Sequence, residues 1–431
     1  MTALALRLAA VVVAASLAGP APAADIPALV TQLSADDYRV RERAGAELLT
    51  LGHQAVPHLK AALAKSVEPE ATRRLEVLVE RLESISFTEP TRITLKVERK
   101  PAKEVFAELA RQSGCAFTFE NAPRAALVSF DWRGTPFLQT LDQLCGALKL
   151  NWRIDNFMHL VVVWGGDADE PYDQHVMYVG PFRVCADTIA LKREFRLSSM
   201  PRPGVVPPPP GLLTVEFSVR SEPRLPICAA GSPVVLAAED EFGNSLLPAK
   251  REAESSELPT PRGLGHVESV EFPLIRASRF AASVKTCRVR VVMGGVTARR
   301  PEISVPDVAG SQGEKFTGRT HLLQVGETVR AKSHLAVDVV VSSREPLTRE
   351  SPAYRSWKAS LPTRFEAFDK DGCLLQKTWD EPTDNDGASV TQTLYISRLG
   401  GGRPKAVKLH FVEWVVKYQT VEFAFKDLPM P

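Results

Sequence analysis

The chain has 431 residues, of which 44% are hydrophobic and 24% are charged, a composition ordinary for a folded protein of several domains. Its formal net charge is only +2, so no basic field that would attract nucleic acid or an anionic membrane is expected. The six cysteines include no C-x-x-C pair, which excludes a zinc ribbon and a dithiol redox motif.

The first residues predict an export signal. Arg7 precedes an apolar run from residue 8 to residue 17, and small residues follow that allow cleavage after Ala23 or Ala24. The run is shorter than the about 20 residues that a membrane span needs, and no later stretch has that length. We therefore expect residues 1–24 to be a signal peptide and the chain to be periplasmic or associated with the cell envelope.

Residues 25–88 predict a short helical segment. Apolar residues recur at helical spacing before Gly52, again from Val56 to Leu63, and in a third helix from about Glu68. The motif R-x-R-x-x-A comes first, L-G-x-x-A-V-P-x-L follows, and a helix of alternating charge comes last. This order resembles a HEAT-type repeat. Because a solenoid normally needs at least three repeats, we expect this segment to act as a cap on its neighbour.

Residues 89–166 predict a small α+β domain with the order βαββαββ. Strands are expected at 93–97, 117–119, 128–132, 150–154 and 160–164, and helices from Pro101 and from Pro136. Each half consists of an alternating strand, a turn, an amphipathic helix that begins at proline, and a returning strand. The halves match at a constant offset of 35, as Pro101 matches Pro136 and Phe106 matches Leu141.

A family resemblance rests on the same residues. These residues are the run I-T-L-K-V-E-R-K-P-A-K-E-V-F-A-E-L-A-R-Q-S-G, followed by V-S-F-D-W-R-G-T-P-F-L-Q-T-L-D-Q-L-C-G-A-L and L-N-W-R-I-D. Together they resemble the short N-terminal domain of secretins and TonB-dependent receptors. The likeness covers residues 90–165 of the 431. It implies a periplasmic docking module without a catalytic site. The chain departs from the family because no secretin pore domain follows.

The second half of the chain predicts two tandem β-sandwich domains, residues 175–310 and 311–431. Five blocks recur in the same order with a period of about 120 residues. They include L-T-V-E-F-S-V-R from Leu213 against L-A-V-D-V-V-V-S from Leu335. They also include a set of turn residues that occurs twice: Ala238, Asp240 and Gly243 against Ala367, Asp369 and Gly372. Alternating apolar residues predict that one face of each strand is buried.

No catalytic motif occurs, since G-x-S-x-G, H-E-x-x-H, G-x-x-x-x-G-K-[ST] and G-x-G-x-x-G are all absent from the sequence. His53 and His58 lie five residues apart at the start of one helix, a poor spacing for a shared metal, and we interpret them as surface residues. The acidic loops 380–387 and 369–372 carry oxygens that suit Ca²⁺, but neither has the EF-hand order. We interpret both as hairpin turns and expect no metal or cofactor.

Four residues remain as candidates for a site or a covalent bond. Trp357 and Trp379 lie near loops and are the candidates for exposed aromatic anchors. Cys115 and Cys145 are the candidate disulfide because both fall in the small α+β domain and export permits the bond. Aromatic residues at alternating strand positions of that domain, such as Phe119, are expected in its core.

Three functions are compatible with this sequence. The first is a non-enzymatic protein-interaction or scaffold protein that docks another envelope protein. The second is a β-sandwich that binds carbohydrate or a small ligand, which predicts a row of exposed aromatic residues on one sheet. The third is an enzyme whose site is assembled from distant residues, which predicts a deep pocket lined by groups of shifted pKa. The sequence favours the first, because the export signal, the tandem modules and the lack of catalytic motifs agree.

Overall fold

A computed structural model describes residues 25–120, 126–155, 160–165, 175–192, 211–248, 258–398 and 402–431, with residues 64, 67, 279 and 350 excepted. The predicted signal peptide lies outside the described residues. The described chain is a mixed α+β protein with seven α-helices and mostly antiparallel sheets, which confirms the predicted α+β class. It divides into two compact units, one ending at Leu82 and the other beginning at Glu83.

Four helices occupy the first part of the described chain: α1 Ile26–Gln32, α2 Tyr38–Leu51, α3 Val56–Leu63 and α4 Pro69–Thr88. The carboxylates of Asp25 and Asp37 accept backbone N–H groups at the starts of α1 and α2, which satisfies donors that a helix leaves unpaired. α2 ends at Gly52, as predicted. Leu48 and Leu82 are fully buried in one hydrophobic cluster, so the apolar faces of these helices meet. None of the described helices combines the length and the apolar character required to cross a membrane.

The next elements form the small α+β region: β1 Arg92–Pro101, α5 Ala102–Ser113, β2 Phe117–Glu120, β3 Leu127–Pro136, α6 Phe137–Leu148, β4 Leu150–Ile154 and β5 Val161–Gly165. This order confirms the predicted elements. β1 pairs with β3 in an antiparallel sheet, while β5 lies between β2, to which it is parallel, and β4. Leu109 of α5 and Leu141 of α6 are fully buried in one cluster with Ile93 of β1.

The internal repeat of this region is visible in its backbone. β1 and β3 begin at residues 92 and 127, and α5 and α6 begin at residues 102 and 137, so both pairs keep the offset of 35. The N–H of Ala102 donates to the carbonyl of Ala126, and the N–H of Phe137 donates to the carbonyl of Thr91, both at 2.8 Å. Adding 35 to the donor's number in the first bond and subtracting 35 from the acceptor's number gives the second bond. The two halves are therefore related by an approximate twofold axis.

The β-rich half contains fifteen strands among the described residues. The first group is β6 Val176–Val179, β7 Phe182–Lys192, β8 Leu212–Ser221, β9 Ile227–Ala230, β10 Val234–Asp240, β11 Val267–Ile275 and β12 Ser283–Val305. The second is β13 Lys315–Thr317, β14 His321–Arg330, β15 Leu335–Ser343, helix α7 Pro352–Ser360, β16 Phe365–Phe368, β17 Gln376–Trp379, β18 Thr383–Asp384, β19 Ser389–Ser397 and β20 Lys408–Pro429. The main strand orders are β11-β8-β7-β6, β13-β14-β15-β19-β17 and β10-β12-β20-β16.

The two longest strands, β12 and β20, form an antiparallel ribbon that runs from the pair Ser283–Pro429 to the pair Val305–Leu409. Near its centre, Val296 pairs with Val416, a residue 120 positions later in the chain. This separation equals the period of the sequence repeat. Equivalent residues of the two copies thus face each other, and an approximate twofold axis passes between them.

The ribbon contributes to two hydrophobic cores. The first contains Phe217 of β8 and Phe423 of β20, and the second contains Ile303 of β12 and Phe411 of β20. At 23 and 22 residues, β12 and β20 far exceed a strand of ordinary length, so each strand extends from one core into the other. Each core therefore takes side chains from both sides of residue 310, where a boundary between two sandwich domains was predicted; that division stays a prediction.

A tight hairpin turn occurs once in each copy and confirms the interpretation of loop 369–372. The Oδ1 atoms of Asp240 and Asp369 each accept the N–H groups two and four residues later, at 2.8 to 3.0 Å. Gly243 and Gly372 have φ angles of 80° and 79°, a backbone conformation that glycine adopts without a steric penalty. The aspartate and the glycine together fix this turn, which is why both recur in the sequence repeat.

Candidate functional site

Helix α7 connects β15 to β16 in the second copy, whereas the matching connection of the first copy, between β8 and β10, carries the short strand β9. The hydroxyl of Ser351 accepts the N–H of Tyr354 at 3.0 Å, and Pro352 occupies the first turn, so the sequence begins a helix here. Tyr354 and Trp357 are buried on the inner face of α7, and Arg355 is exposed on its outer face.

A surface cleft of about 550 Å³ lies beside α7 and is lined by Arg349, Tyr354, Arg355, Lys358 and Asp384. The Nε atom of Arg349 donates to Oδ2 of Asp384 at 2.7 Å. Within the described residues, the side chains of Arg355 and Lys358 have neither a hydrogen-bonding nor an ion-pair partner. The lining therefore carries three cationic side chains against one carboxylate, and two of the cations are available to a ligand.

The remaining polar groups of the cleft are fixed by their neighbours. The N–H of Gly387 donates to Oδ1 of Asp384 at 2.8 Å, and this bond, with Tyr354 and Arg349, holds the pKa of Asp384 below its ordinary value. Burial and the adjacent Asp384 raise the pKa of Tyr354 to about 12, so its hydroxyl keeps its proton at neutral pH. The two available cations, Arg355 and Lys358, form an arrangement that suits an anionic group.

Trp357 is only 8% exposed, so the prediction that it is an exposed anchor is wrong. Its indole Nε1–H donates to Nε2 of His321 at 3.0 Å, and the two rings are stacked with 12° between their planes. His321 Nδ1 lies 2.9 Å from Oε2 of Glu302. The prediction failed because α7 interrupts a β-rich region and directs this side chain into the second core.

The Glu302–His321 pair resembles part of a catalytic triad but is not arranged for catalysis. An indole N–H only donates, so His321 Nε2 is the acceptor; Nδ1 is therefore protonated and donates a hydrogen bond to Glu302. Burial lowers the pKa of His321, although Glu302 acts in the opposite direction, and the ring is neutral at pH 7. The nitrogen that would take a proton from a nucleophile is occupied by Trp357. The cluster therefore stabilises α7 against β14.

A second buried carboxylate, Asp142 of α6, joins the small α+β region to the first strands of the β-rich half. Asp142 is 6% exposed and accepts hydrogen bonds from Trp152 Nε1 at 2.8 Å, from Arg183 Nε at 2.6 Å and from the hydroxyl of Tyr178. The guanidinium of Arg183 also lies 5.8 Å from the centre of the Trp152 ring. Since three donors engage its two oxygens, this carboxylate is a structural junction.

Glu222, which follows β8, forms a second junction with the same region. Its Oε1 accepts the N–H of Thr91 at 2.8 Å, and its Oε2 accepts the hydroxyl of Thr91 and Nε of Arg224, both at 2.6 Å. Arg224 also donates to the carbonyl of Glu89 at 2.5 Å. Glu222 is 1% exposed, so a charge-assisted network replaces its hydration. The two junctions hold the small region firmly on the β-rich half.

Trp379, the second predicted anchor, is half-buried at the edge of the second core. The ammonium of Lys377 lies 5.1 Å from the centre of its ring, the geometry of a cation–π contact. Burial lowers the pKa of Lys377 to about 8, although Glu366 acts in the opposite direction. Trp379 therefore presents only part of its ring, and its role as an anchor stays a prediction.

The predicted disulfide between Cys115 and Cys145 is not formed, since both thiols are free. Both residues are buried in the cluster of the small α+β region, where they pack as small apolar side chains. Burial raises the pKa of Cys115 to about 12 and raises that of Cys145 further, so neither is a thiolate at neutral pH. Membership of one domain was insufficient to pair them, because a disulfide also needs close and correctly directed Cβ atoms.

The acidic loop 380–387 closes as a turn, which confirms its interpretation. Oδ1 of Asp386 accepts the N–H groups of Ala388 and Ser389 at 2.9 and 2.7 Å. This oxygen is thus engaged by the backbone that directly follows the loop. Across the part of the chain that the structure describes, no three or more His, Cys, Asp or Glu side chains are grouped as metal ligands require. His58 is exposed, as predicted.

Phe119 was expected in a core, but 44% of its surface is exposed. It lies on β2, whose only partner among the described strands is β5, at the edge of a three-stranded sheet. Its ring contacts Phe106 with centres 5.0 Å apart. The alternation of the strand was predicted correctly, but a period of two does not reveal that a strand lies at an edge.

The cleft itself was not predicted from the sequence. No helix was predicted in the stretch that contains Arg349, Arg355 and Lys358. A helix signal is present, because Ser351-Pro352 is a favoured start and Tyr354 and Trp357 are spaced by three residues. Reading α7 from this signal would have placed Arg355 and Lys358 on one helix face. It would not have brought Asp384 beside them.

Comparison with known proteins leaves the family of this chain open. No protein-family model and no curated protein matches it. A solved structure described as "the crystal structure of the conserved domain protein from Bacillus anthracis" aligns with 57% of this chain and 89% of its own length. The two share 7% sequence identity with a TM-score of 0.15, so the alignment supports no statement about fold or function.

Proposed function

We propose that this chain is an exported, non-enzymatic protein-interaction protein that docks another protein of the cell envelope through the cleft beside α7. The observation that carries the proposal is the pair Arg355 and Lys358, two cationic side chains on the cleft without a partner in the described chain. Interfaces use such rim charges to select a partner and to accelerate its association.

The proposal includes a finer domain arrangement. A HEAT-like segment, residues 25–88, precedes a domain similar to the short N-terminal domain of secretins, residues 89–166. Two β-sandwich domains follow, residues 175–310 and 311–431, and share the β12–β20 ribbon. In this arrangement the secretin-like domain and the sandwiches form one scaffold, which is supported by the Asp142 and Glu222 junctions. A scaffold of this kind presents the cleft in a fixed orientation.

The buried polar clusters support a binding role over a catalytic one. Asp142 and Glu222 are each engaged by several donors, and His321 has both ring nitrogens engaged. Catalytic acids and bases need an atom directed at a substrate. The available cations of the cleft bind anions but provide no activated nucleophile.

Site-specific photo-crosslinking in a host that exports the chain tests this function. A photoreactive amino acid at Lys358 is expected to give one defined adduct with an envelope protein. The same amino acid at Lys332, an exposed residue after β14, is the control and should give none. If positions 349, 355 and 358 all give no adduct, or if Lys332 gives the same one, the docking function is rejected. Sequencing of the exported protein should find a start at Ala24 or Asp25.

A further inference from the structure

We infer that the cleft beside α7 binds an acidic segment of the partner protein through two of its carboxylates, one on Arg355 and one on Lys358. The inference rests on the proposed docking function and names the chemistry of the partner. It follows from the unequal charge of the lining, three cations against Asp384. Asp384 is itself engaged by Arg349 and Gly387, so its charge is partly compensated.

The spacing of the two cations indicates which spacing of acidic residues the cleft recognises. Arg355 and Lys358 are three residues apart on α7, a separation that places side chains on one helix face with Cβ atoms about 5–6 Å apart. In an extended chain, alternate side chains point to the same side and lie about 6.6–6.8 Å apart. A partner with acidic residues at positions i and i+2 therefore contacts both cations at once.

The size of the cleft favours a protein segment over a free anion. At about 550 Å³ it lies in the range of about 300–1,000 Å³ that is typical of sites for molecules much larger than phosphate. A segment of several residues fills this volume and contacts both cations.

Fluorescence anisotropy with the purified full chain tests the inference. The probe is a labelled peptide with glutamate at alternate positions, and the reference peptide carries glutamine at those positions. The acidic peptide should bind at least about tenfold more tightly, and binding should weaken with salt because the contacts are ionic. The double variant Arg355→Glu/Lys358→Glu should lose at least about tenfold in affinity.

A matched control separates the cleft from net charge. Arg330→Glu/Lys332→Glu changes the same number of charges on exposed residues at the end of β14, and binding should stay within about twofold of the wild type. Asp384→Asn keeps the acceptor for Gly387 but removes the negative charge and loosens Arg349. This variant should bind the acidic peptide more tightly.

The outcomes distinguish this inference from the docking function. Equal affinity for the two peptides, or equal loss in both double variants, overturns the inference. The inference is also overturned if inorganic phosphate displaces the acidic peptide at a concentration lower than that of the peptide. If the adduct at Lys358 persists in these cases, docking stands and only the acidic chemistry is rejected. If the peptide binds as expected but no adduct forms, the docking function falls instead.

Discussion

The junction at Asp142 allows a direct test of what holds the small α+β region on the β-rich half. Asp142→Ala removes the acceptor of three hydrogen bonds and leaves the guanidinium of Arg183, 1% exposed, without its carboxylate. Removing one partner of a buried ion pair typically lowers the unfolding free energy by about 3–5 kcal/mol, because the remaining charge stays buried. We expect a loss of this size for Asp142→Ala.

Asp142→Asn is the more conservative change. Its carbonyl oxygen still accepts the indole N–H of Trp152, but the charge opposite Arg183 is gone. Hydrogen bonds to charged groups contribute about 1.5–3 kcal/mol, so the expected loss is within that range. Asp131→Ala is the control, because Asp131 pairs with Arg133 on the surface and such pairs contribute little. We expect no measurable change for it.

Urea unfolding followed by tryptophan fluorescence measures these effects, since Trp152 itself contacts Asp142. The midpoint should fall in the order wild type, Asp142→Asn, Asp142→Ala, and Asp131→Ala should match the wild type. A loss below about 1 kcal/mol for Asp142→Ala, or equal losses for Asp142→Ala and Asp131→Ala, would refute the reasoning. It would mean that the junction contributes no more than a surface pair.

Three further predictions concern backbone strain and the buried histidine cluster. Lys149, with a φ of 52°, ends α6 in the left-handed conformation that Gly114 adopts at the end of α5, so Lys149→Gly should raise the unfolding free energy by about 0.5–1 kcal/mol. The midpoint in urea measures this gain, and Gly114→Lys should show a loss. Trp357→Phe leaves His321 Nε2 buried without its donor and should cost about 1–3 kcal/mol in the same assay; an unchanged midpoint would contradict the cluster. Burial holds the pKa of His321 below its ordinary value, so the unfolded chain takes up the proton first as the pH falls. Stability should therefore decline below about pH 6.5, and His321→Gln should reduce that slope in unfolding curves at pH 7.5, 6.5 and 5.5.

Much of the local structure could be predicted from the sequence because each signal acts over a few residues. Proline at the start of α5 and α6, glycine after α2 and α5, and alternating apolar residues in the strands predicted elements that the structure contains. The turns at Asp240 and Asp369 also depend on signals that act over a few residues. Most of the candidate site was not predicted, because α7 was absent from the expected elements and Trp357 was expected to be exposed.

The sequence by itself determined the elements and their two repeats, because a duplicated segment keeps its spacing and its helix and turn signals in each copy. The tertiary structure alone decided which copy each apolar face meets. β12 and β20 pair along their full length and serve both cores, and this pairing joins residues more than 100 positions apart. The tertiary structure also brought Asp384 beside α7 and directed three donors to Asp142. No local pattern encodes such contacts, because they depend on how separate elements pack.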